Sequence, residues 1–453
     1  MDEALATVGI TFVIGAGVVL LVFWLASKSW KTKQQSSDYP SEENKSSLST
    51  VPSQADKNLP KQARKAGKKL PESAFSHPWL AATLKGHSGR VLDVDFSSNG
   101  KYLISCAEDR TLMLWNAKNL EQKEHKATRG NVELDHAKLV RFAPDSKSII
   151  ICLAVANRIA VYKTVKKEES AAVKIQPVDS IEYPDEHRMD IIAIGIASNG
   201  KFLMSASADN TVIVWDLRGN ILKTLDTKQN QLHYAAVSTC GRFVAASGFT
   251  PDVKVYEVCF NNRTGEFQDV NRAFELTGHN SGVYSFDFNQ DSTRMISASK
   301  DGTWRLYNTD IQYQFNQDPY LLQSGRWDLL NQPSLEPASV FVRLSPDGAT
   351  FALAVHRRLR IYQCTKKEAE TELENLHGDE GIGALRISLE NRYVLTAGDK
   401  HLRVLHNLAH YRAIVERLTT EEKKKAEGAH KARLRQQIAE AQDVLKRVLL
   451  NQA

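Results

Sequence analysis

Three segments of this 453-residue chain place a histidine, a serine and an aspartate at fixed intervals. In a hydrolase such a trio would be base, nucleophile and orienting acid. The sets are His87, Ser105 and Asp109; His187, Ser205 and Asp209; and His279, Ser297 and Asp301. In each, the Asp follows the His by 22 residues and the Ser by four, and an aromatic (Trp115, Trp215 or Tyr307) stands six beyond the Asp. An active site is built once, so a trio recurring three times at one spacing belongs to a repeated structural unit. A buried imidazole and carboxylate are costly unless paired, and a fully satisfied network stiffens the unit that holds it. These twelve residues are therefore expected to be structural tetrads. The sequence carries no Gly-rich phosphate loop, metal-ligand spacing or isolated nucleophile motif, so no catalytic residue, cofactor or metal is assigned and no enzyme is expected.

The elements around the tetrads follow from the repeat. The three copies begin at Gly86, Glu186 and Gly278 and align without gaps at their key positions. Four weaker copies end their third strands at Tyr162, Tyr256, Tyr362 and Leu405, the last keeping His377 and Asp399 at the same interval of 22. Third strands thus end at 115, 162, 215, 256, 307, 362 and 405. Each copy alternates apolar and polar residues, as half-buried strands do. The pattern resembles WD repeats over nearly all of 76–407. That resemblance implies an all-β, seven-bladed propeller in which His, Ser, Asp and the aromatic tie the loop leading into a blade to its inner turn. After Leu405 the chain turns helical, so the last blade lacks a fourth strand of its own. The orphan apolar stretch Trp79–Leu84 is expected to supply it and close the ring.

The flanks carry the charge. The net +6 comes from residues 1–75 and 408–453, each with 10 basic side chains against 7 and 6 acidic ones, while 76–407 is nearly neutral. The five cysteines include no CxxC pair and fit a reducing compartment. Residues 4–27 hold no charge and are long enough to cross a bilayer, so a transmembrane signal-anchor is expected there. Lys28, Lys31 and Lys33 follow it, which places the remainder in the cytosol. Residues 28–75 read as a disordered basic linker, 76–407 as the propeller and 408–453 as a C-terminal α-helical segment.

Segments 131–145, 248–260, 272–279 and 299–310, taken with the N-terminal span and basic C-terminal helix, resemble a membrane-anchored branch of the WD-repeat family. That resemblance implies a scaffold at the endoplasmic-reticulum membrane, linked to the unfolded-protein response and stress-regulated translation, with an endoplasmic-reticulum stress-sensor kinase among its protein partners. A second reading gives the basic flanks ribosome or RNA binding.

Binding candidates follow from the long loops, 163–186 and 308–338. The second carries Tyr320, Leu322 and Trp327, which either cover a blade edge or form a partner patch. In the tail, Lys423, Arg433 and Arg435 make a basic helix start, and Leu434, Ile438, Ala441, Leu445 and Val448 form a short coiled-coil-like seam. The seam's expected partner is another helix, the propeller rim or a second copy.

Overall fold

The computed structural model describes residues 75–122, 124–166, 173–327, 337–424 and 428–450. The expected span at 4–27 and the linker as far as residue 74 lie outside these. Among the described residues no helix is long and apolar enough to cross a membrane.

Seven four-stranded antiparallel sheets form the blades, the first six each running from an innermost to an outermost strand in chain order. Blades 1 to 6 span 91–131, 137–177, 191–226, 232–276, 283–326 and 340–374. Blade 7 takes three strands from 384–406 and its outermost from Leu80–Lys85. That strand pairs antiparallel with His401–His406, Leu84 opposite Leu402 and Lys85 opposite His401. The closure expected from Trp79–Leu84 is thus observed, and Leu84 is fully buried. Sealing the ring this way leaves no open radial edge between first and last blade.

The sequence builds each blade from a gradient of burial. Second strands such as Ser148–Leu153 (SIIICL) sit between neighbours on both faces and are almost continuously apolar. Outermost strands such as Ile221–Asp226 face water and alternate. Apolar side chains between adjacent blades form the core, as where Ile104, Leu112 and Leu114 of blade 1 meet Val140, Ile149 and Ile151 of blade 2.

Both long loops prove to contain strand. The 163–186 stretch holds the end of one strand and the outermost strand Val173–Pro177, and 308–338 holds the outermost strand Tyr320–Arg326 of blade 5. The C-terminal segment is two helices rather than one, α1 (Leu408–Lys424) and α2 (Ala429–Leu450). They pack as a hairpin through Leu418, Ile414 and Val415 against Leu434 and Ile438. Leu445 and Val448 pack on Trp79 and Leu408, so the seam is satisfied within the chain, by a partner helix and the propeller's rim together.

Candidate functional site

In blade 1 the tetrad forms a one-way chain of hydrogen bonds. The Trp115 indole N–H donates to Ser105 Oγ at 2.9 Å, and Ser105 Oγ lies 2.7 Å from His87 Nε2. On the other side of the ring, Nδ1 lies 3.2 Å from Asp109 Oδ2. The arrangement is internally consistent when the serine hydroxyl donates to Nε2 and the Nδ1–H donates to the carboxylate. Asp109 also accepts the Ser88 backbone N–H at 2.8 Å, which ties the lead-in loop to the inner turn. Ser105 is fully buried and its oxygen already accepts the indole N–H, so the triad-like geometry has no room for an attacked carbonyl.

A threonine two residues after each aspartate joins the network. Thr111, Thr211 and Thr303 donate their hydroxyls to the aspartate at 2.5, 2.5 and 2.6 Å and lie 3.1, 3.0 and 3.1 Å from the histidine Nδ1. The residue between is left-handed, with φ of 61° at Arg110, 73° at Asn210 and 76° at Gly302. The repeated Asp-x-Thr was legible in the sequence.

The other two sets vary this theme. In blade 3, Nε2 of His187 lies 2.7 Å from Ser205 Oγ, which accepts the Trp215 indole N–H at 2.8 Å. The link to Asp209 there runs through Thr211. In blade 5, His279 lies 2.7 Å from Ser297 and 3.1 Å from Asp301, while the Tyr307 hydroxyl donates to the Thr277 carbonyl at 2.8 Å. Burial lowers the histidines against the pull of their aspartates, His279 to about 4. Burial alone would raise the aspartates. Hydrogen bonds from Thr111 and Ser88, and their counterparts in the other sets, hold them below the usual range.

The degraded blades find other ties. In blade 7, His377 contacts Asp399 at 2.8 Å and Thr396 at 2.9 Å, and Arg403 grips Asp399 through both terminal nitrogens at 2.9 and 2.8 Å. In blade 2 the acid has changed sides. Asp135, in the lead-in loop, accepts the backbone N–H groups of Val155 at 3.1 Å and Ala156 at 2.9 Å in the turn. Blade 4 uses buried Gln229, which accepts from the Thr250 hydroxyl.

Innermost strands add ties between blades. Asp95 accepts the Phe142 N–H at 2.8 Å and Asp287 the Leu344 N–H at 2.9 Å. Asp93 is ion-paired with Arg141 and, at 3.3 Å, with Arg386 of blade 7. These acids look like the polar half of a strand's alternation in sequence, and nothing in that pattern announces their pairing.

The candidate binding residues divide. Trp327 is 3% exposed and packs between blades 5 and 6 with Trp304 and Val342, which removes it from any partner surface. Tyr320 and Leu322 are 55% and 39% exposed on the outer strand of blade 5. Lys423, Arg433 and Arg435 are exposed near the hairpin's turn, Arg435 donating to Glu422 at 2.7 Å.

A closed ring of seven four-stranded blades, three of them laced by His–Ser–Asp ties, defines a WD-repeat β-propeller. The family described as "WD domain, G-beta repeat" matches residues 79–116, 179–216 and 271–308, the three segments with complete tetrads. The chain belongs to the family of transducin beta-like protein 2. It is 45% identical to the mouse (Mus musculus) protein of that name over 388 residues, 85% of this chain and 86% of that one. Its likeness to the human (Homo sapiens) protein is 45% over 85% of each chain. A guanine nucleotide-binding protein subunit beta of Arabidopsis thaliana is 26% identical over 51% of this chain and 59% of its own.

Proposed function

We propose that this protein is a non-catalytic scaffold of the endoplasmic-reticulum membrane, whose propeller lies in the cytosol and docks signalling or translation partners during the unfolded-protein and stress response. The carrying observation is that every triad-like set is consumed in tying a blade together, which leaves a rigid ring that presents its loops for recognition. The uncharged run at 4–27 followed by three lysines supports the anchor and its orientation. Proximity labelling from the full chain and from a chain lacking 1–33 tests this. The two neighbour sets are expected to differ in endoplasmic-reticulum proteins, and identical sets would overturn the anchored reading.

Exposed Lys423, Lys424 and Arg433 at the hairpin's turn favour one other reading, RNA or ribosome binding through the flanks. It requires association that falls steeply with salt and survives removal of the propeller.

A further inference from the structure

Blade 2, whose turn carries no tetrad aspartate, has an exposed apolar tip. Leu134 is 95% exposed and held at a φ of 61°, a strained conformation for leucine. Val155 is 81% exposed in the turn that the neighbouring Asp135 carboxylate clamps to Leu134's loop. Met189, 55% exposed, leads into blade 3, and Asn157 binds it to the same turn by donating to the Met189 carbonyl at 3.0 Å and accepting the Ile191 N–H at 2.8 Å. Three exposed apolar side chains are thus fixed on one set of hydrogen-bonded loops. The matching turns with complete tetrads carry Asp109, Asp209 and Asp301 instead.

The rim of this patch is acidic. The stretch 178–190 holds Asp179, Glu182, Asp185, Glu186 and Asp190 against one base, Arg188. Arg158 and Lys138 lie 3.8 and 3.9 Å from Glu182 and Asp190, and Glu133, Asp185 and Glu186 are exposed. From this charge we infer that Leu134, Val155 and Met189 form a docking surface for a basic amphipathic segment of a partner protein, its apolar side chains on the patch and its Lys or Arg side chains on the acidic rim. The inference rests on the scaffold reading and assigns that reading a surface.

The test uses the full chain in detergent and two labelled helical peptides of about 14 residues with leucines at helical spacing, one completed with lysine and one with glutamate. Fluorescence anisotropy reads their binding. The Leu/Lys peptide is expected to bind, and the Leu/Glu peptide about tenfold more weakly or not at all. The combined Leu134→Gly, Val155→Ser, Met189→Ser chain should bind the Leu/Lys peptide at least about tenfold more weakly. Glycine accepts the φ at 134, and thermal unfolding checks that this chain folds. Asp185→Asn with Glu186→Gln leaves the apolar residues intact and should weaken binding about threefold, less so at high salt. Phe249→Ser, at an exposed residue in the corresponding turn of blade 4, should leave it unchanged. Unchanged binding by the folded triple variant, or equal binding of both peptides, would overturn the proposal. The scaffold reading fails separately, in the proximity-labelling comparison.

Discussion

Removing one hydroxyl from each of two equally buried serines separates a structural tie from a passive core position. Ser105 and Ser247 are both fully buried on second strands, in blades 1 and 4. Ser105 Oγ stands between the Trp115 indole and His87, whereas Ser247 Oγ has no partner among the described residues. Ser105→Ala strands a buried donor and a buried acceptor, each costing about 1–3 kcal/mol, or roughly 2–6 kcal/mol together. Ser247→Ala removes an unsatisfied group and should be neutral or stabilising. For a domain of this size the first variant lowers the unfolding temperature by about 4–12 °C, taking roughly 2 °C per kcal/mol. The second leaves it unchanged or higher. Thermal unfolding of the full chain, followed by tryptophan fluorescence, reads both. Equal shifts in the two variants, or a neutral Ser105→Ala, would refute the view that the tetrads are ties.

Burial holds His279 at about 4, against 6.5 for a free imidazole, so between those values the unfolded chain binds a proton that the native chain excludes. Stability is therefore full above pH 6.5 and is lost as the pH falls toward 4, by about 3 kcal/mol from this one group; a urea midpoint unchanged from pH 7.5 to pH 4.5 would contradict it. Trp79→Ala removes the side chain on which Leu408, Leu445 and Val448 pack, at a cost of about 3–5 kcal/mol. Hydrogen exchange should rise in Ala429–Leu450 and stay constant in the strands of blade 3. The cytosolic orientation predicts no glycan on the sequons at Asn44 and Asn262 in cells, which a glycosidase mobility shift would detect.

The propeller was legible because its information is periodic. Seven strand-three ends, three complete tetrads and an unpartnered Trp79–Leu84 specify blade number and closure without reference to side-chain contacts. What escaped was set by contacts between distant residues. In sequence Tyr320, Leu322 and Trp327 read as either cover for a blade edge or a partner patch; Trp327 alone turns inward to meet Trp304, because the outer strand ends just before it. Asp135 performs from the opposite loop what Asp109 does from the turn, so a search for the turn aspartate reports only a loss. Pairing of Asp93 with Arg386 spans 293 residues and depends on ring closure. The hairpin escaped because an apolar seam shows that a helix needs a partner, not which surface supplies it.

The central claim is that partners dock on the propeller's loops rather than on the basic flanks. Cross-linking mass spectrometry of the full chain in isolated membranes tests it most directly. Lys228, Lys300 and Lys400 stand exposed on the loops and turns leading into and within the blades. The account predicts intermolecular protein cross-links at these lysines, retained after nuclease treatment. Cross-links confined to 57–69 and 423–435, and abolished by nuclease, would contradict it.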